Sequence, residues 1–522
     1  MLLFGIWHIG RYILALTDGH FVYGLDDPYI HLSIARTLVD HGVYGVSAGA
    51  VGFASSSVLW PLLLAALGFF TGKLLLFPFI LNVLAAVGCL WLIEAMGKRG
   101  GLSSAGRFLL MFFLVVLTPL PPLIFMGMEH TLHLFSVLWI LYLFIKRYET
   151  EQYGRTPWLL LLSIAVSVLL RYETLFLVLP LLVLVLYRRQ YGTAFGMAAA
   201  AVIPVLIVGA VMLSTGGYFL SNSLLVKGPL LETRDLLNPV HFLYYYLLWP
   251  ETQAIHWRLI SIATLIIGVL FIASGGGRRR VHPQLLYAML AFIAIHILAV
   301  RFDHFNRYTG YIVGSTLTIA GYVFLSGLNF FGSTRPAADA RRFTVPLILI
   351  AVLTLVPLLM DGMSKVRTVP TLSRNIYEQQ YQMGRFLSEY YPQKSVAIND
   401  LGLVVYDGHI TPVDLAGLAD PRIAIARRHR VFTTDSIRVI TREHGVDIAV
   451  LYRSWFIDAF TLPDEWIPVE EWILQDNVIC GSDTLNFYGL NAPAADTLRQ
   501  RLRRFHPLLP SRVIVREVLL PQ

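Results

Sequence analysis

Charge is what this chain is shortest of. Asp, Glu, Lys and Arg make up 14% of its 522 residues, against about 25% in a typical soluble domain. With hydrophobic residues at 56%, a water-soluble enzyme and a disordered chain are both excluded. Cysteine is nearly absent. Cys89 sits inside an apolar stretch and Cys480 near the C-terminus, so neither a disulfide framework nor a multi-cysteine metal site can be built. No N-x-[ST] sequon occurs, which leans toward a bacterial source. There is no internal repeat and no Gly-rich phosphate fingerprint. The net charge of +8 would suggest a nucleic-acid partner in a soluble protein. In a polytopic membrane protein it reflects Lys/Arg-biased loops, so no nucleic acid is expected.

What is present is a long series of apolar stretches, at about 1–20, 75–97, 108–127, 131–146, 157–170, 175–187, 194–214, 257–274, 284–300, 308–327 and 343–361. The basic clusters KRGGLSSAGR, KRYETEQYGR, YRRQ, GGGRRR and STRPAADARR all fall on one side of this series. By the positive-inside rule that side is cytoplasmic. Eleven spans then put the N-terminus inside and the C-terminus outside. The stretch 56–72 would reverse every later loop if it crossed, so it is read as a juxtamembrane or re-entrant helix in a first outer loop of about 21–74. The stretches at 157–170 and 175–187 are too short to cross, at 1.5 Å per residue. They are expected to run on through RYET, placing Arg171 and Glu173 at membrane depth, where charge is costly and usually functional. Arg11, in the first span, is expected to face protein or a wet cavity.

From about 362 to 522 the composition turns soluble. SRNIYEQQYQMGRFLSEYY reads as an amphipathic helix, SVAIND and VDIAVLY as short buried strands, and DSIRVITREHG as a helix between them. The fold class expected is an α-helical polytopic membrane domain over 1–361 followed by a soluble extracytoplasmic α/β domain over 362–522.

Chemistry concentrates in five segments. In FVYGLDDPYIHLSIARTLVDHG, Pro28 suits the first helical position and Asp27 is a natural N-cap. Ile30, Ile34 and Leu38 line one face and Arg36 pairs with Asp40 at i,i+4. That leaves Asp26 as a spare carboxylate at the membrane surface, suited to general-base work. FMGMEHTLHLF brings Glu129 and His130 to the outer end of a span; His130 and His133 alone are too few for a metal site. VLLRYETLF carries Arg171 and Glu173. GGYFLSNSLLVKG carries Asn222 and Lys227, and RFDHFNRYTG carries Arg301 and Arg307. Together they put cations and carboxylates on one outer face, beside the aspartate pair.

At these residues the sequence resembles a known family. D-D-P-Y-I-x-x-x-x-A-R-x-L is similar to the D-D/D-E signature of the GT-C glycosyltransferase superfamily. ASSSVLWPLLL is similar to its outer-loop helix, and SVLLRYETLF to its L-R-P-E motif, with Tyr172 in place of proline. GGYFLSNSLLVKG and VDLAGLADPRIA resemble segments of the mycobacterial arabinofuranosyltransferase-like branch, although Leu220, Ser221 and Ser223 depart from it and the C-terminal domain is short for it.

The resemblance implies transfer of a sugar, arabinofuranose among the candidates, from a polyprenyl-phosphate donor to a glycan or lipid acceptor of the cell envelope, with inversion. Asp26 would be the general base, with Asp27 beside it. Arg171, Lys227 and Arg307, backed by Arg301, would hold the donor phosphate. Glu129, His130, Glu173, Asn222 and His31 would contact sugar or acceptor. The carrier's isoprenoid tail needs a lipid-open groove between spans. With no D-x-D near the outer face, no metal cofactor is expected. The competing reading is a transporter or flippase of a lipid-linked sugar, for which an intramembrane Arg/Glu pair is equally suited. The one-sided placement of the polar motifs speaks against it. A non-catalytic assembly subunit is a third reading, opposed by the intact Asp26-Asp27 pair.

Overall fold

The computed structural model describes residues 1–49, 51–149, 157–223, 250–273, 282–300, 305, 307–331, 337–429, 431–456 and 461–518. Helix α1 (Leu2–Leu16) leads into a first loop carrying α2 (Asp27–His41) and α3 (Leu59–Thr71). The helical body continues with α4 (Phe77–Arg99), α5 (Ser104–Leu117), α6 (Leu120–Phe125), α7 (His130–Glu149), α8 (Trp158–Leu170), α9 (Thr174–Tyr187) and α10 (Tyr191–Ser214). It ends with α11 (Pro250–Ala273), α12 (His282–Ala299), α13 (Gly310–Phe331) and the long α14 (Ala337–Ile376).

By length and composition, three helical stretches among the described residues suffice to cross a membrane: Phe77–Arg99, Tyr191–Ser214 and Ile348–Tyr390. The other apolar helices are shorter. Large apolar side chains stand outward on long and short helices alike, among them Trp7, Leu84, Phe195, Ile207, Leu353 and Met360. Such a surface is matched by hydrocarbon and not by water.

Two local expectations are corrected. The stretch 108–127 is not one helix: it breaks into α5 and α6 around Pro119, where a proline removes a donor and Pro121 and Pro122 restart the helix. The stretches 157–170 and 175–187 do not run on through RYET. Helix α8 ends at Leu170, Arg171 is extended (φ −155°, ψ 126°), and α9 begins at Thr174. Arg11 is exposed, its guanidinium 5.1 Å from the Trp7 ring and 5.5 Å from the Tyr12 ring. Helix α14 runs 40 residues, through residue 361, toward the C-terminal domain.

A π-helical turn (Tyr377–Tyr381) joins α14 to α15 (Gln382–Tyr390). Then come β1 (Ser395–Ile398), α16 (Leu403–Gly408), β2 (Thr411–Asp414), α17 (Pro421–Arg428), α18 (Thr434–Glu443) and β3 (Ile448–Leu451). The domain closes with β4 (Ile467–Ile473), β5 (Thr484–Gly489), α19 (Ala492–Phe505) and β6 (Ile514–Glu517). The expected strands are β1 and β3, and the expected helix between them is α18. The six-stranded sheet has the order β2-β1-β3-β5-β4-β6, parallel over β2-β1-β3 and antiparallel beyond.

Both faces of this sheet are covered. Phe386, Trp472, Phe487 and Phe505 fill one side; Phe432, Ile437, Leu451 and Trp466 fill the other. The first of these cores also takes in Ile30 and Ile34 of α2. Ile30 and Ile34 of the first-loop helix are therefore buried in the core of the C-terminal domain, which ties the two ends of the chain into one hydrophobic unit.

Candidate active site

The site grows from the start of α2. Pro28 stands in the first turn, where its missing N–H costs nothing, and Gly42 ends the helix at φ 68° with its N–H on the Leu38 carbonyl at 3.0 Å. The two aspartates ahead of it divide in an unexpected way. Asp26 is the residue before the helix, yet its side chain makes no bond to α2. Its Oδ2 accepts from Gly402 N at 2.7 Å and its Oδ1 from Leu403 N at 2.8 Å, both in the C-terminal domain. Burial, and then the neighbouring Asp400 carboxylate, push its pKa well above the ordinary carboxylate range. Asp26, expected as a spare carboxylate, is therefore engaged by backbone.

Asp27 turns the other way. Its Oδ2 accepts from Arg307 Nη1 at 2.5 Å, the two side chains being 25% and 10% exposed. A small space of about 20 Å³ is lined by Asp27, His31, Ser55, Ser56, Tyr308 and Leu418, among others. Roughly one water fits such a volume, so the space is a nucleus of a site and a sugar would have to widen it. Of the expected residues it gathers Asp27 and His31, with Arg307 bonded to Asp27. Lys227 and Arg301 lie outside the described residues.

Behind this space runs a buried charge chain. His31 Nδ1 is 2.9 Å from Ser55 Oγ, and its Nε2 is 3.7 Å from Glu129 Oε2. Glu129 accepts from Arg171 Nη1 at 2.7 Å. Arg171 also donates through Nε to Glu173 at 3.1 Å, through Nη2 to the other Glu173 oxygen, and through Nη1 to Ser56 at 3.2 Å. The RYET break explains this node: with α8 ended, Arg171 leaves the helix axis and meets Glu129 on the segment between α6 and α7. That segment is fixed by Gly24 N on the Phe125 carbonyl at 3.0 Å and by Asn82 Nδ2 on the Met128 carbonyl at 2.8 Å. Gly127, at φ 70°, lies so close to the Tyr23 ring that a Cβ would stand 2.6 Å from it.

Arg171 is accordingly bonded to two carboxylates and is not among the residues that line the space. Glu129 and Glu173 hold Arg171. His130 is buried with its ring 5.9 Å from Tyr308, and its Nε2 has no hydrogen-bond partner among the described residues. His133 is bonded to Thr174 at 3.0 Å. Asn222 does not line the space either. Its N–H donates to the Phe53 carbonyl and its Nδ2 to the Leu418 carbonyl, both at 3.1 Å. Among the described residues no group of three or more His, Cys, Asp or Glu is set to hold a metal.

Sequence reasoning passed over Ser55, Ser56, Ser223, Tyr308 and Leu418, which line the space. Each lies inside a segment already singled out, but serines, a tyrosine and a leucine carry no charge signal of their own. Tyr308 sits between two guanidinium groups, with Arg171 at 5.2 Å and Arg307 at 5.6 Å from its ring centre.

Residues 374–502 match a family described as a domain of unknown function, DUF8728. No curated protein matches the chain in sequence. Among solved structures, ArnT from Cupriavidus metallidurans bound to undecaprenyl phosphate aligns over 94% of this chain and 98% of its own, with 12% identity and a TM-score of 0.50. The apo form of the same protein aligns over the same shares at 12% identity and a TM-score of 0.49. An oligosaccharyltransferase from Archaeoglobus fulgidus aligns over 98% of this chain and 74% of its own, at 12% identity and a TM-score of 0.47. At 0.50 over nearly both whole chains, the likeness to ArnT is one of fold: a helical body followed by a sheet-containing domain.

Proposed function

We propose that this chain is an integral-membrane glycosyltransferase that moves a sugar from a polyprenyl-phosphate carrier to a hydroxyl of a glycan or lipid acceptor, on the extracytoplasmic side. The observation that carries the reading is the Asp27–Arg307 pair at 2.5 Å beside a space of mixed polar and apolar lining, in a fold shared with a protein whose structure holds undecaprenyl phosphate. An apolar cavity of about 210 Å³ between α5, α11, α13 and α14 supports it as a place for an isoprenoid tail.

The chemistry needs one base and one anion holder. The leaving group is a phosphate, stable as an anion, so it needs no acid to protonate it. Asp27 takes the proton of the acceptor hydroxyl as that oxygen attacks the anomeric carbon. The bond from that carbon to the phosphate oxygen breaks with its electron pair on the phosphate, and the configuration inverts. Arg307, displaced from Asp27 toward the phosphate, neutralises the charge that develops there. Asp27 serves as base in preference to Asp26 because both Asp26 oxygens already accept backbone N–H groups. As written, the reaction calls on no divalent cation.

The test is turnover of a panel of polyprenyl-phosphate sugars (arabinofuranose, mannose, glucose, galactose) by the purified chain, read as transfer or as slow release of free sugar. One donor is expected to be consumed, and Asp27→Asn to lower its turnover by about 10²–10⁴-fold while carrier binding persists. Near-normal turnover by Asp27→Asn would refute the assignment. Carrier binding without consumption of any donor would point to transport.

A further inference from the structure

The motif VDLAGLADPRIA ends in a rigid loop. Asp414, the last residue of β2, accepts from Ala416 N at 2.8 Å and from Ala419 N at 2.7 Å. Asp420 then caps α17 through Arg422 N at 2.8 Å. Gly417 completes the loop at φ 88°, where a Cβ would stand 2.6 Å from Ala424 N. The loop is built to hold one shape, and it is docked. Leu418 gives its carbonyl to Asn222 Nδ2 at 3.1 Å and lines the space beside Asp27. A Cβ on Gly52 would come within 2.9 Å of the Ala419 carbonyl oxygen.

A second contact lies next to the first. Strands β1 and β2 are parallel, with Ile398 opposite Asp414. The segments that follow them, 399–403 and 415–419, therefore leave the same edge of the sheet side by side. Asp26 grips the first of these by two backbone bonds, 376 and 377 residues away in sequence. Gly402 admits the grip because it has no side chain: a Cβ there would stand 2.1 Å from Asp26 Oδ2. Asp26 thus sits where it sets the position of the loop that carries Leu418.

We propose, resting on the transferase reading above, that the C-terminal domain is a working part of the catalytic site. Asp26 is the positioning residue that fastens it, and Leu418 forms the acceptor-side wall of the space beside Asp27. The wall belongs to the acceptor because the carrier arrives from the helical body, and the C-terminal domain closes the opposite side. The two adjacent aspartates then have separate tasks, one chemical and one architectural.

The test uses the full chain in detergent, with undecaprenyl phosphate as the carrier-binding probe, the polyprenyl-phosphate sugar that the wild-type chain consumes as donor, and octyl glucoside as the acceptor probe. Asp26→Asn and Gly402→Ala are expected to speed amide hydrogen exchange at 402–403 and at 415–419 by roughly tenfold or more, as the paired bonds from Gly402 N and Leu403 N are disrupted. Undecaprenyl phosphate affinity stays within about threefold, KM for octyl glucoside rises about tenfold, and kcat stays within a few-fold. Leu418→Ala raises the same KM with exchange at 402–403 unchanged. The proposal is overturned if Asp26→Asn lowers kcat to the level of Asp27→Asn at unchanged KM, which would make Asp26 the chemical group. It is equally overturned if exchange at 415–419 is unchanged in both latch variants. The exchange readout needs no turnover, so a wild-type chain that consumes no donor would sink the transferase reading while the latch is still decided.

Discussion

Arg171 offers the sharpest test of whether a buried arginine in this fold holds substrate or holds the protein. Its guanidinium, 4% exposed, bonds Glu129, which is 0% exposed, and Glu173, which is 15% exposed. Truncating it to alanine leaves two carboxylates facing each other with their cation gone. Breaking a buried ion pair by removing one partner costs about 3–5 kcal/mol, or roughly 10²–10³-fold or more in the folding equilibrium. Arg171→Ala is therefore expected to lower the thermal unfolding temperature in detergent sharply, with undecaprenyl phosphate affinity nearly unchanged in the fraction that stays folded. The companion variant Arg171→Ala/Glu129→Gln removes the deeper of the two orphaned charges, and it is expected to recover stability by a coupling of about 1–3 kcal/mol. A phosphate ligand would behave in the opposite way. If Arg171→Ala unfolds at the wild-type temperature, loses the carrier and is not rescued by Glu129→Gln, the node is a binding site and the argument from its partners is wrong.

Two further outcomes follow from single contacts. Gly362 lies in α14 where a Cβ would meet the Val116 carbonyl oxygen at 2.3 Å; since backbone cannot step aside cheaply, Gly362→Ala should destabilise by about 1–3 kcal/mol in thermal unfolding, and a neutral result would mean that α14 and α5 slide freely. Asp400→Asn should flatten the pH dependence of stability. The folded state raises the pKa of Asp26, by burial first and Asp400 second, so it holds its proton more tightly than the unfolded chain does. Stability is then full below the ordinary carboxylate value of about 4 and falls as pH rises through the raised value. Removing Asp400 removes one cause of that fall, and an unchanged slope of unfolding temperature against pH would exclude the coupling.

Much of this architecture is legible in the residues because apolar periodicity and turn chemistry are local. The first-loop helix with Pro28 at its start, the strands in SVAIND and VDIAVLY, and the helix in DSIRVITREHG all follow from neighbours within a few positions. What could not be read is long-range partnership. Arg36 looks like an i,i+4 partner of Asp40, but its Nη1 donates to the Tyr406 carbonyl at 2.6 Å and its guanidinium lies 3.9 Å from the Tyr406 ring centre. Arg171 and Glu173 look like a lone intramembrane pair until Glu129, 42 positions earlier, completes the node. The residues that line the space with no charge, Tyr308 and Leu418 above all, carry no mark that separates them from packing residues.

In the aspartate doublet, adjacent residues face different partners. The capping argument asks which carboxylate serves the helix that begins beside it, and it assigns the other to chemistry. Successive residues at a helix start are rotated by about 100°, so two adjacent side chains cannot serve one direction. Here that rotation turns Asp26 to the C-terminal domain and Asp27 to Arg307. On the proposed function, a doublet is then the shortest sequence that can attach a domain and place a base against the same structural reference, the first turn of α2. The exchange variant Asp26→Glu separates the two demands: one added methylene overfills the gap that Gly402 leaves, so it should loosen the latch while Asp27 keeps its bond to Arg307. Carrier binding at wild-type strength with faster exchange at 402–403 is the expected result. Loss of carrier binding with exchange unchanged would mean that the two carboxylates act as one unit.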